Sequence, residues 1–262
     1  MRAVSLLAIL SICCIPASPQ NAPKADSKKS VPRLPDGKPD FSGIWIGGGP
    51  VADLEAGLPE GQKVPILPAA AKAMSQRLAQ DDPEANCLPT GIPRVAPYPW
   101  TFATAPGRLY ILFEGNIHSY RQIFMDGRPH PRDPNPTWYG HSVGRWEGDS
   151  LVIDTVGFND KFWFDFRGHP HTEQLHTVER YTRKEFGTLT NEITINDPGA
   201  YSKPFAVTFS ANLMPDGELL EYICQESERS AQHLRGPAIV PSPDTQPGSS
   251  LLPIAPAKAP AK

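Results

Sequence analysis

Histidine is concentrated where a site is easiest to build. Six of the seven histidines fall between His118 and His176, on or beside two loops of unusual composition, residues 126–141 and 157–173. His169 and His171 are i, i+2 neighbours that would share one face of an extended segment. His176 follows a few residues on, with Asp165 and Glu173 nearby. Imidazole and carboxylate together suit Zn, Cu or Fe, so His169, His171 and His176 are the candidate metal ligands. Pro170 breaks the extended segment, and hydrogen-bonded loop histidines are the competing reading. No cofactor is expected apart from this divalent metal.

Strand alternation supplies a second constellation. Arg121 shares a face with Ile117, Ile123 and Met125, Asp154 is flanked by Val152 and Val156, and Glu179 lies with Leu175 and Tyr181. An unpaired charge on an apolar face is costly, so these groups must pair, meet a ligand or face water. If they converge inside a barrel, Arg121 would orient a carboxylate or carbonyl while Asp154 or Glu179 serves as acid or base. His141, Trp138 and Tyr139, at the end of the first long loop, would close over the same space. The candidate catalytic residues are therefore His141, Asp154 and Glu179. Arg121, Arg128, His130, Trp138, Tyr139 and Trp163 are the candidate ligand contacts, with Arg128 and His130 at the rim. The plainer alternative is an internal Arg–carboxylate pair that only fixes register. No Gly-rich phosphate loop, dinucleotide fingerprint or Gly-x-Ser-x-Gly elbow occurs in a suitable setting, which disfavours nucleotide-dependent and ordinary esterase chemistry.

The elements that must position these residues read as strands. Runs at 42–47, 100–105, 108–114, 117–125, 142–147, 150–156, 174–183, 188–196, 204–213 and 218–225 are apolar or alternating, and many meet at turn residues such as Gly115-Asn116, Gly148-Asp149 and Pro215-Asp216-Gly217. About ten short strands in mostly hairpin order predict a mostly β fold, an antiparallel barrel or sandwich with long Pro-rich loops. Pro68 and the Ala/Leu/Met/Lys-rich run Ala69 to Gln80 predict one helix, a lid or plug on one end of the sheet. Loop 157–173 carries Phe158, Phe162, Trp163, Phe164 and Phe166. Aromatics that dense either fold over a cavity or cap the sheet.

The ends differ from this centre. Met1-Arg2, an apolar run from Ala3 to Ile15 and the small residues Pro16-Ala17-Ser18 have the layout of an export signal over 1–18. The run is shorter than the roughly 20 apolar residues of a membrane span. Cys13 raises a lipoprotein as the minority alternative, against which Ile12 stands where such signals carry a small residue. Residues 19–40 and 236–262 are polar or Pro/Ala-rich and are expected to be disordered, which leaves 41–235 as a single β domain. Removing the signal leaves Cys87 and Cys224, expected to form a disulfide in an oxidising compartment, with two separate buried thiols as the alternative. Net charge is −3, from 25 basic and 28 acidic residues with no long run of either sign, so neither nucleic acid nor anionic membrane is an expected partner.

Several stretches carry a resemblance: Pro39-Asp40-Phe41-Ser42-Gly43-Ile44-Trp45, Cys87-Leu88-Pro89-Thr90-Gly91-Ile92-Pro93-Arg94, Asp126-Gly127-Arg128-Pro129-His130-Pro131, the run Gly140 to Thr155, Gly168-His169-Pro170-His171 and Glu221-Tyr222-Ile223-Cys224. Together they resemble a large uncharacterised family of secreted bacterial proteins over nearly all of 39–226. That resemblance implies export to the periplasm or medium and a single domain, and assigns no catalytic residue. Gly43-Ile44-Trp45 is also similar, more loosely, to the Gly-x-Trp that closes the floor of lipocalin-type barrels. The expected function is a secreted or periplasmic β-barrel binding a small, partly apolar molecule in an internal cavity. The alternatives are an enzyme on the same scaffold (hydratase, isomerase or metal-assisted hydrolase) and an extracellular interaction protein using an exposed Phe162, Trp163 and Phe164.

Overall fold

The computed structural model describes residues 29–94, 98–115 and 119–227. The expected export segment, the first part of the expected linker, the C-terminal tail, Ile117 and His118 lie outside the described residues. Nine strands follow one another around a closed barrel: β1 (Ile44–Gly47), β2 (Trp100–Ala105), β3 (Arg108–Phe113), β4 (Ser119–Phe124), β5 (His141–Glu147), β6 (Ser150–Val156), β7 (His176–Glu185), β8 (Thr188–Asn196) and β9 (Phe205–Met214). Every neighbouring pair is antiparallel except β4–β5, and β9 returns to pair with β1. Alternation is plainest on β7, where Thr177, Glu179, Tyr181 and Arg183 point inward and the residues between them are half-buried.

The tenth expected strand, 218–225, does not form. Pairing of β9 with β1 over Gly47 to Ile44 already closes the wall, so no edge remains for it to join. The segment instead runs out to Cys224, at the start of the four-residue helix α2 (Cys224–Ser227), and Cys224 is disulfide-bonded to Cys87. The expected helix forms in shortened form as α1 (Pro68–Ser75), with Pro68 in its first turn. It buries no residue, and Leu78 beyond it is exposed, so α1 is not the plug. That place is taken by Ile92 and Pro93, joined by a cis peptide, which sit against Trp100, Ile111 and Phe113 inside the barrel. Gly91 makes this approach feasible: its φ is +69°, and a Cβ there would lie 2.3 Å from the ring of Phe162. Phe158, Phe162, Trp163 and Phe164 are all buried, so the second long loop caps the core and offers no exposed aromatic patch. Residues 33–40, within the linker expected to be disordered, fold back on themselves through the Arg33–Pro39 bridge and meet the barrel through the Arg33–Asp149 ion pair and through Asp40 O, which accepts from Arg183.

Two seams in the wall are narrow. β1–β2 pairs only Ile44 with Thr101 and Trp45 with Trp100, and β4–β5 pairs only Ile123 with Ser142 and Phe124 with Val143. The first is reinforced by side chains: Trp100 Nε1 donates to Gly47 O (2.9 Å) and Thr101 Oγ1 to Gly43 O (2.7 Å). The second is bridged from within by Arg121 on β4. Its Nε donates to Ser142 Oγ on β5 (2.9 Å), its Nη2 to Thr155 Oγ1 on β6 (2.6 Å), and its Nη1 lies 2.5 Å from Glu179 Oε2 on β7. Tyr181 completes the cluster by donating to Glu179 Oε1 (3.0 Å). Both charged side chains are 1 % exposed. One guanidinium therefore ties four strands across one of the two narrowest junctions of the wall.

Removing a single member strands the other charge in an interior shielded from bulk water. Arg121→Met is expected to destabilise the protein by about 3–5 kcal/mol in denaturant titrations. The double variant Arg121→Met, Glu179→Met should lose much less than the sum of the two single changes. Additive losses, or no loss, would show that the pair does not hold the seam.

Candidate functional site

The nine strands place polar side chains at two sites, back to back through the wall. Ser142, Thr155 and Thr177 form one inward row across β5, β6 and β7. Their sequence neighbours His141, Asp154 and His176 therefore point to the outer face. Of the three charged residues expected to converge, Arg121 and Glu179 meet inside, whereas Asp154 does not join them. Its register partner is Val178, one residue out of phase with Glu179, which pairs with Ile153.

The inner site adjoins a small void lined by Ile92, Pro93, Trp100, Ile111, Phe113, Glu179, Tyr181 and Asn191. The space is on the order of one water molecule. Asn191 Nδ2 donates weakly to Gly48 O (3.4 Å) while its Oδ1 has no partner. Thr177 Oγ1 is likewise unpartnered. Arg121 Nη1 and Glu179 Oε2 touch as an ion pair but are misaligned for a hydrogen bond, so both keep unused capacity. Burial, then the Glu179 charge, pushes the Tyr181 hydroxyl well above its ordinary pKa, which keeps it a donor. Asn191 was not a sequence candidate. Only its inward place on β8, opposite Tyr181, brings it here.

On the outer face, loop residues 126–140 lay His130 against the wall. His130 Nδ1 lies 2.9 Å from His141 Nδ1 and its Nε2 lies 3.1 Å from Asp154 Oδ1, which also receives His176 Nε2 at 2.8 Å. Residues expected as catalytic, ligand-binding and metal-ligating thus join in one chain. The ring of His141 stacks on Phe124 (centroids 5.0 Å apart), and Arg128, paired with Asp126, lies 4.1 Å over the same ring. Burial, then His130 and Arg128, lowers the His141 pKa below the ordinary histidine value. Trp138 and Tyr139 pack on the core from the end of this loop. Tyr139 hydrogen-bonds Ser119 Oγ (2.7 Å), and burial raises its hydroxyl to about 12. Trp163 is buried beneath Arg77, 4.8 Å over its ring, away from either site.

The three expected metal ligands have separate partners. His169 Nδ1 contacts Asp165 Oδ2 at 2.5 Å, His176 belongs to the outer chain, and His171 is packed on Phe162 and Phe164 (centroids 3.8 and 5.1 Å). Among the described residues, Asp53, Asp165 and His169 have ligand atoms close enough to share one ion. Those carboxylates already serve the fold: Asp165 also accepts from Leu54 N (2.5 Å), and Asp53 caps Glu55 N (2.9 Å) and pairs with Arg167 (2.6 Å). Among the described residues no helix is long and apolar enough to cross a membrane.

His171 gives the aromatic cap a pH dependence. Burial drives its pKa from 6.5 to about 4, and its Nε2 has no partner. The unfolded chain thus binds a proton between those values and the folded chain does not. The contribution is full above the unfolded pKa and is lost as pH falls toward 4. The loss should approach about 3 kcal/mol in denaturant titrations, and His171→Phe should flatten that part of the profile. An unchanged slope in the variant would place the acid sensitivity elsewhere.

No family model, curated protein or solved structure matches this chain.

Proposed function

We propose that this protein is an exported β-barrel, of the secreted bacterial family its motifs resemble, that binds a small, partly apolar molecule at the internal void. The observation that carries this reading is Asn191 Oδ1, a buried acceptor without a donor, on a residue that lines the void together with Glu179. Leaving such atoms unpaired costs about 1–3 kcal/mol each, so something that donates hydrogen bonds belongs there. An open amide acceptor beside a carboxylate already ion-paired to Arg121 selects a ligand head with hydroxyl or ammonium hydrogens. The surrounding Trp100, Ile111 and Phe113 select an apolar or aromatic body.

The space beside these atoms holds only about a water, so a larger ligand must displace Ile92 and Pro93. Displacement would leave the Cys87 end of that loop anchored by its disulfide.

The test is thermal unfolding of the mature protein against a panel of small alcohols, amines and aromatic alcohols. A ligand should raise the melting temperature with the logarithm of its concentration, and Asn191→Leu should abolish the rise. No shift anywhere in the panel, no retained molecule in native mass spectrometry and full stability of Asn191→Leu would together reject the reading.

A further inference from the structure

The outer chain is independent of the internal void, because alternation puts it on the opposite face of the same strands. Its donors and acceptors can be counted from one end. An ionised carboxylate only accepts, so His130 and His176 both donate Nε2–H to Asp154 Oδ1, at 3.1 and 2.8 Å. A neutral His130 then has only a lone pair at Nδ1, and His141 Nδ1, 2.9 Å away, must supply the proton. That fixes the His141 lone pair on Nε2, which makes no hydrogen bond among the described residues.

We propose that this chain is an acid–base site: His141 Nε2 takes a proton from water and directs that water onto a small carbonyl or acyl compound. The water O–H bond breaks as its oxygen bonds to the carbonyl carbon, and the proton goes to His141 Nε2. His141 Nδ1–H passes to His130 Nδ1, which leaves the positive charge on His130 beside Asp154. In an ester the carbon–oxygen bond to the alcohol then breaks, and the same proton returns through His141 Nε2 to the departing oxygen. Ester and water become acid and alcohol, and the chain is restored. His130 and Asp154 act through His141 and are positioning residues.

The surroundings suit this role. His130, Asp154 and His176 have side-chain exposures of 22, 26 and 38 %, so the site is reachable yet partly dried. The charged and titratable groups facing His141 are His130, Arg128 and Asp126 from the loop, Asp154 on β6, His176 on β7 and Arg108 on β3, across Phe124. Arg108 has no ion-pair partner among the described residues and lies 5.1 Å over the Phe124 ring. It shares the Phe124 ring with His141 and is the charge assigned to the oxyanion that forms when water adds. Burial, then His130 and Arg128, lowers the His141 pKa and so favours its unprotonated form.

The probe is 4-nitrophenyl acetate with the full mature protein. Nitrophenolate release is expected to rise with pH through one ionisation and level off near neutrality. His141→Gln should lower the plateau about tenfold or more. Asp154→Asn should lower the plateau and move the midpoint to lower pH, because the imidazolium loses its counter-charge. Should either variant fail to fold, 15N shifts of the wild-type histidines at about pH 8 decide the matter, with His130 expected as the Nε2–H tautomer and His141 as Nδ1–H. An undiminished rate in His141→Gln, an unchanged midpoint in Asp154→Asn, or an Nε2–H His141 would each overturn the proposal.

Discussion

Arg121 carries a positive charge to the centre of a closed barrel, and two structural problems meet at that point. The strand it sits on is joined to the next by a single short parallel pairing, the least hydrogen-bonded junction of the wall apart from β1–β2. The charge also needs a counter-ion in a space shielded from bulk water. Glu179 supplies the counter-charge from three strands away, and Ser142 and Thr155 satisfy the guanidinium on the way. The pair thereby links the β2–β4 panel to the rest of the barrel. Tyr181 and Asn191, beside it, inherit a polar environment that an aromatic interior alone would not give them.

The period of two along β5, β6 and β7 then produces the outer site without further design. His141-Ser142, Asp154-Thr155 and His176-Thr177 each put a hydroxyl inside and a titratable group outside. The inner hydroxyls serve Arg121 or line the wall beside it, and the outer groups await a partner. His130 provides it from a Pro-rich loop that parallel pairing makes necessary, since β5 runs in the same direction as β4 and the chain must loop out and return to the β4 end before continuing. The same loop brings Tyr139 onto Ser119, on the inward face of β4, where its ring stacks on Phe113.

Much of this was legible in the sequence. The β class, the strand positions, the Cys87–Cys224 bond and the burial of Arg121 and Glu179 follow from alternation, turn residues and cysteine count. Asp154 was misassigned because alternation orders residues within a strand but does not say which face is inside: Val152 and Val156 are apolar, as are Leu151 and Ile153, so both faces of β6 read as core. Residues 218–225 looked like a strand since nothing local reveals that β9 has already met β1. The helix was read too long because Leu78 continues a helical spacing that the chain abandons after Ser75. Asn191 and the His130–His141 contact depend on pairings between distant segments, for which one sequence carries no signal.

What the whole arrangement turns on is whether the buried acceptors beside Arg121 and Glu179 are occupied in the folded protein. A crystal structure of the protein at a resolution that shows ordered water addresses this most directly. The expected result is a polar atom, from water or from a retained ligand, within about 3 Å of both Asn191 Oδ1 and Glu179 Oε2. A dry void with Asn191 Oδ1 still unpartnered, or one closed by collapse of Ile92 onto Tyr181, would contradict the account of the interior as a binding site.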